Sequence, residues 1–131
     1  MERNDKNKIE LEGNVARIGD VFTNKNGKKS IHFDLAQNSQ DGKYKTSQFI
    51  PVVLRGNLFE TYGQEIEKGD WLNVKGRLTS YIGKNNDKKY EVTAFEVKNL
   101  ENDKEYTMSE NELDSEKDEV EKDETEKEQE R

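Results

Sequence analysis

One segment of the sequence places an aromatic ring and two cations on the same side of an extended chain. If residues 44–57 form a strand, Lys45, Phe49 and Arg55 lie on one face, and Ile50, Val52 and Leu54 lie on the other. An exposed ring can stack on a nucleobase, and neighbouring cations can neutralise phosphates. The segment therefore predicts a two-faced strand, with a nucleic-acid-binding surface in front of a buried core.

The same arrangement recurs further along the chain. In a strand that starts at residue 71, one face carries Trp71, Lys75, Arg77 and Tyr81, and the polar loop that follows adds Lys84, Lys88 and Lys89. Stacking accepts any base, because every base has a π-face, but it requires that the bases be unpaired. If these faces adjoin, they line a groove for a single strand. Each lysine alone is weak support, because surface lysines commonly serve solubility.

The sequence offers little for catalysis. His32 is the only histidine, and we expect it beside Asp34 on one face of a strand, either as an exposed neighbour pair or as part of a binding surface. The chain has no cysteine, so a thiol nucleophile, a disulfide or a cysteine metal site cannot form. We predict no catalytic residue, no metal site and no cofactor. The chain is expected to be a binding protein and not an enzyme.

The apolar pattern indicates five strands. Residues 9–15 alternate with a period of two, and a slip in phase before Ile18 predicts a bulge. Asn-Gly at Gly27 predicts a hairpin turn between the first two strands. Further strands are predicted over residues 31–36, 44–57, 71–81 and 89–100, and the last changes phase at Phe95.

A short helix is predicted between the third and fourth strands. Asn57 is a candidate cap, and Leu58, Phe59, Tyr62 and Ile66 recur at helical spacing. Five strands with one helix in this position are the element order of an OB fold. We therefore predict an all-β protein, a five-stranded Greek-key barrel.

Charge divides the chain into a body and a tail. Residues 1–100 hold 17 basic and 14 acidic side chains, whereas residues 101–131 hold 5 basic and 15 acidic ones. The body is therefore mildly basic although the whole chain has a formal charge of −7. We predict a flexible N-terminus over residues 1–6, the OB domain over residues 7–101, and a disordered acidic tail over residues 102–131.

The sequence has no apolar run of the roughly 18 residues needed to cross a bilayer, and its start lacks the apolar core of a signal peptide. We expect a cytoplasmic, nucleoid-associated protein with no membrane partner.

Several short motifs, in order, resemble the bacterial single-stranded DNA-binding protein family over about residues 7–101. Residues 7–15, Asn-Lys-Ile-Glu-Leu-Glu-Gly-Asn-Val, look like its opening strand. Residues 49–56, Phe-Ile-Pro-Val-Val-Leu-Arg-Gly, look like its third strand. The Lys-Gly pair at residue 68 and Gly-Arg-Leu at residue 76 are similar to its fourth-strand region.

The resemblance implies an OB fold that binds single-stranded DNA independently of sequence in replication, recombination or repair, and a homo-oligomer, either a dimer or a tetramer. By motif position, Phe49 takes the place of a stacking tryptophan, and Tyr81 lies near that of another. Arg55 stands where the family often has an aromatic ring, which implies a phosphate contact in place of a stacking platform. Trp71 and Asn73 fall in a region that relatives use for subunit packing.

The C-terminus departs from the family pattern. Relatives end in an acidic tip with Pro-Phe that docks replication and repair proteins, whereas this chain ends Glu-Lys-Glu-Gln-Glu-Arg. We expect weakened recruitment of such partners and, from the remaining acidity, electrostatic competition with DNA.

Two other functions share these features. The rings at Phe49, Trp71 and Tyr81 could form a protein contact in an OB-fold interaction or assembly module. Single-stranded RNA could replace DNA, because OB grooves accept both.

Overall fold

A computed structural model describes Arg3 and residues 5–108. Six strands form one sheet that curls into a barrel, and all its pairings except one are antiparallel. The strands are β1 (Ile9–Thr23), β2 (Lys29–Asp41), β3 (Tyr44–Arg55), β4 (Trp71–Ile82), β5 (Lys88–Asn99) and β6 (Glu105–Thr107). Their order across the sheet is β3-β2-β1-β4-β5-β6.

The barrel closes through a short parallel pairing between β3 and β5. Val52 pairs with Val92, and Val53 pairs with Thr93. This closure joins the two ends of the five-stranded part of the sheet and leaves β6 as an addition beside β5. The predicted five-stranded OB barrel is confirmed.

The first strand has the irregularities that its apolar pattern predicts. Its pairing with β2 shifts register between Val15 and Arg17 and again between Ile18 and Val21. At the hairpin, Gly27 has a φ of +80°, a conformation that glycine adopts without a steric penalty. Asn24 stabilises the turn, because its side-chain oxygen accepts hydrogen bonds from two backbone amides, those of Asn26 and Lys28. The predicted bulge and hairpin are both confirmed.

Alternate residues of the strands fill the interior. The fully buried side chains come from every strand of the barrel and from the helical segment, and they include Val15, Phe33, Leu35, Val52, Leu54, Leu58, Leu72, Val74, Val92 and Val97. A core of this composition supplies the hydrophobic stabilisation that a domain of this size requires.

The helical segment is shorter and starts earlier than its pattern predicts. Helix α1 spans Gly56–Leu58 and runs directly into a π-helical turn over Phe59–Gly63. Asn57 does not cap it, and its side-chain amide instead donates to the backbone oxygen of Thr107 at 3.1 Å. Ile66 lies beyond the helical turns and packs, half-buried, against the core. Within the described part of the chain, no helix is long and apolar enough to cross a membrane.

Strand β6 lies in a segment whose composition predicted disorder. It pairs with β5, with Tyr106 opposite Val97. The Tyr106 ring packs against that of Tyr62 at 4.9 Å between centroids, and Met108 is only 3% exposed. Residues 102–108 were predicted to belong to the disordered tail. The structure differs, because the hydrophobic side chains of Tyr106 and Met108 pack against the barrel. The prediction for residues 109–131 lies outside the described residues.

A buried hydrogen bond fixes Tyr62 beneath β6. Its hydroxyl donates to Asp70 Oδ2 at 2.5 Å. Burial, together with this bond and the nearby carboxylate charge, raises the pKa of Tyr62 far above its usual value, so the phenol stays neutral.

Removing β6 is expected to weaken the barrel. A chain that ends at Leu100 should lose about 2–5 kcal/mol of unfolding free energy relative to one that ends at Met108, because the Met108 and Tyr106 contacts disappear. Urea denaturation of the two chains measures the difference. Equal midpoints and slopes would show that β6 contributes nothing to stability.

Candidate nucleic-acid interface

A groove runs across the outside of the barrel, between the β1–β2 and β4–β5 hairpins. It encloses about 510 Å³. All strands except β6 contribute to its lining, which consists of Arg17, Gly19, Phe22, Ser30, His32, Phe33, Asp34, Pro51, Arg55, Tyr81 and Lys89. A groove between two hairpins on this fold is a common place for oligonucleotides to bind.

The floor of the groove is polar and largely buried. Glu91 of β5 is 3% exposed. Its Oε2 lies 2.8 Å from His32 Nε2, and its Oε1 lies 3.7 Å from Arg55 Nη2. A buried carboxylate requires basic or hydrogen-bonding partners to offset the loss of hydration. Strands β2 and β3 supply two basic partners, one at each oxygen of the carboxylate.

This floor changes the interpretation of Arg55. The sequence places it on an exposed face, but the structure gives it a residue exposure of 6%. Its neighbour on that face, Val53, is fully buried, because the pairing of β3 with β5 draws both residues beneath the groove surface. Arg55 lines the groove, but it is also one side of an ion pair with Glu91.

The walls carry the accessible rings and cations. Phe22, at the end of β1, is 47% exposed. Tyr81 of β4 is half-buried, and it pairs across the hairpin with exposed Lys89. Arg17 of β1 pairs with Asp34 of β2 on the same surface. The groove therefore presents aromatic rings on opposite walls, each with cations nearby.

Beyond the barrel, β2 and β3 continue as a two-stranded ribbon, residues 36–41 paired with residues 44–49. Phe49 is 64% exposed at its base and lies opposite Ala36. Alternation places Phe49 on the same face as Pro51, which lines the groove. Lys45, also exposed, lies on that face nearer the tip. The ribbon thus extends the groove with another ring and another cation.

The structure does not bring Lys75 to the groove. Its ammonium lies 3.3 Å from Glu96 on the outer surface of β4 and β5. Asn73 occupies the same outer surface, where its side-chain amide donates to Glu10 and Glu12.

The remaining predicted residues are distributed over three places. Trp71, 44% exposed, begins β4 opposite Asn14. Arg77 is half-buried and pairs with Thr93, on the same face of β4 as Tyr81 but outside the groove lining. Lys84 and Lys88 are exposed at the tip of the β4–β5 hairpin.

The groove residues that were not predicted to bind nucleic acid include Phe22, Arg17 and His32. Phe22 is the last apolar residue before the Asn-Gly turn, and that position could have identified it as a wall of the groove. Arg17 is a single cation in a bulged strand, and no alternation of residue types in the sequence marks it as a groove residue. His32 was assigned to a general binding surface beside Asp34, but its hydrogen bond goes to Glu91, 59 residues away.

Comparisons with known proteins agree with this architecture. The model of the Single-strand binding protein family matches residues 6–103. A single-stranded DNA-binding protein from Clostridium tetani is 35% identical over 103 residues, which cover 72% of this chain and 70% of that protein.

Solved structures resemble the barrel at lower identity. A dimeric structure of the N-terminal domain of PriB protein from Thermoanaerobacter tencongensis has a TM-score of 0.58 at 24% identity, over 72% of this chain and 96% of that one. The PriB structure from Ralstonia solanacearum has a TM-score of 0.59 at 13% identity, over 72% and 99%. These two likenesses concern the fold.

Proposed function

Since the chain belongs to the single-strand binding protein family, we propose that it binds single-stranded DNA through the groove and the ribbon. It acts in replication, recombination or repair, as a binding protein and not as an enzyme. The observation that carries the mechanism is the alignment of Phe49, Phe22 and Tyr81 along one surface with exposed cations beside them. Rings bind bases without regard to sequence, and cations bind the phosphates between them.

The path of the DNA follows from the positions of the rings. Phe49 stacks a base at the base of the ribbon, and the strand then crosses the groove between Phe22 and Tyr81. Lys45, Lys84, Lys88 and Lys89 lie near the two ends of this path and contact phosphates as exposed, flexible cations. Lys75 and Arg77 are secondary, because Lys75 is paired with Glu96 and Arg77 is half-buried.

Arg55 has two roles in this proposal. Its ion pair with Glu91 stabilises the floor, and the small part of the residue that is exposed, 6%, belongs to the groove lining and lies on the path of the DNA. A phosphate contact there replaces the ring that relatives often have.

We also propose a homo-oligomer. β1 pairs with β4 from Ile9 onward, but with β2 only from Asn14 onward, so residues 9–13 have one edge available to another strand. The similar PriB domain is dimeric. Trp71 and Asn73, on the outer surface of the same sheet, are the candidates for further subunit contacts.

Two more expectations remain proposals. The acidic residues 109–131 would be the segment that contacts replication or repair proteins. The protein would act on the cytoplasmic DNA of the nucleoid.

Titration of a fluorescein-labelled dT oligomer tests the function. We expect tight binding at low salt, with log K falling by about 0.7 per tenfold rise in salt for each phosphate neutralised. Fluorescence anisotropy measures both the affinity and the slope. Matched rU and duplex competitors separate this proposal from RNA or duplex binding, and an absence of binding to dT at low salt would contradict it.

A further inference from the structure

His32 occupies a special position in the groove. It belongs to the lining of the groove, and 36% of its side chain is exposed. The proposed path of the DNA passes directly over it. Its partner Glu91 is almost completely buried, so the ring is held from below while one side remains open.

The hydrogen bond to Glu91 leaves the two ring nitrogens with different roles. An ionised carboxylate accepts hydrogen bonds and cannot donate them, so Nε2 carries a proton and donates to Oε2 at 2.8 Å. Within residues 5–108, the structure shows no hydrogen-bond partner for Nδ1. In the neutral ring Nδ1 is an acceptor, and in the protonated ring it becomes a donor with a positive charge.

The charged groups around His32 make this change sensitive to a bound anion. They come from the surrounding strands, and they are Arg17 of β1, Asp34 of β2, Arg55 of β3, and Lys89 and Glu91 of β5; the titratable phenol of Tyr81 of β4 lies beside them. Asp34 and Glu91 place negative charge around the ring, whereas the two arginines and Lys89 place positive charge there. A phosphate entering the groove would add negative charge and shift this balance towards protonation.

Resting on the proposed function, we propose that His32 contacts a DNA phosphate through protonated Nδ1, with Glu91 as the positioning residue, so that DNA binding takes up a proton. Because DNA binding and proton uptake are coupled, a lower pH must strengthen DNA binding. Below the pH at which histidine loses its proton, the groove has one more cation and binds DNA more tightly. As pH rises through the range in which histidine titrates, that contact is lost.

The dT titration is repeated with the full chain at about pH 6 and about pH 8, at constant ionic strength. We expect the wild-type affinity to be about fivefold higher at the lower pH. The salt slope should also be steeper there, by about 0.7. The His32→Gln variant keeps a side-chain N–H for Glu91 but cannot titrate, so its affinity should be the same at both pH values. Lys98→Gln, on the opposite surface, is the matched control and should retain the wild-type pH dependence.

Two measurements on the wild-type chain do not depend on any variant. Calorimetry in two buffers of different ionisation enthalpy counts the protons taken up on binding near pH 7. Because His32 is the only histidine, its nitrogen-15 signals report directly whether Nδ1 gains a proton when DNA is added. Uptake that vanishes in His32→Gln supports the inference.

A wild-type affinity that does not change with pH would overturn the inference while leaving the proposed function intact. A pH dependence that persists in His32→Gln would do the same, because another group would then be titrating. If the chain binds no DNA at either pH, the proposed function fails and the inference fails with it.

Discussion

Replacing Phe49 by alanine is expected to weaken dT binding by about 5- to 150-fold, which corresponds to the roughly 1–3 kcal/mol that one stacked base contributes. The ring is 64% exposed and stands at the junction of the ribbon and the groove. The folded state gains little from it, so the unfolding free energy should change by no more than about 0.5 kcal/mol. The salt slope should not change, because the ring has no charge. Anisotropy titrations across salt measure affinity and slope together.

Tyr90 provides the matched control for this change. It is 53% exposed and lies on β5 next to Lys89, but its side chain is on the opposite face of the strand. Tyr90→Ala removes a ring of similar size and exposure without touching the groove, so its affinity should match that of the wild type. Equal losses in the two variants would mean that the groove face has no special role.

Replacing Glu91 by alanine is expected to lower the unfolding free energy by about 3–5 kcal/mol. The carboxylate is 3% exposed between His32 and Arg55, and its removal leaves the positive charge of Arg55 buried without its carboxylate. Urea denaturation measures the loss. Glu96→Ala, on the same strand, removes a half-buried carboxylate that pairs with Lys75 at 3.3 Å, and it should cost at most about 1 kcal/mol.

The pair can be tested further by replacing both partners. Arg55→Leu alone should also destabilise the barrel, because the buried Glu91 carboxylate then loses one of its basic partners. The double replacement by leucine should recover a large part of the loss, since two apolar side chains require no hydration. If Glu91→Ala costs no more than Glu96→Ala, the buried ion pair is not important for stability.

The local features of the fold were predictable from the sequence, and the reason is that they depend on neighbours in the chain. Asn24 and Gly27 form their turn through hydrogen bonds within five residues. The slip between Val15 and Ile18 shows directly as the register shift between Val15 and Arg17. Phe49 was identified by alternation alone, and its exposure agrees with that prediction.

The features that were missed depend on residues far apart in the chain. The burial of Arg55 arises from the parallel contact of β3 with β5, and a period-two pattern contains no information about it. Strand β6 was not predicted, because Tyr106 and Met108 lie in a highly charged segment whose composition predicts disorder. Lys75 lies outside the groove because it pairs with Glu96 of β5, just before the register shift that inserts Phe95 between Glu96 and Ala94.

The burial gradient along β3 has a consequence for how this protein can evolve. From Tyr44 to Phe49 the side chains are exposed, and from Val52 to Arg55 they are buried on both faces. Mutations in the first half can therefore adjust affinity for DNA one side chain at a time, with almost no penalty in folding. Mutations in the second half change binding and stability together. We therefore expect natural selection to accept sequence changes in the ribbon half of β3 and to restrict them in the half where the barrel closes.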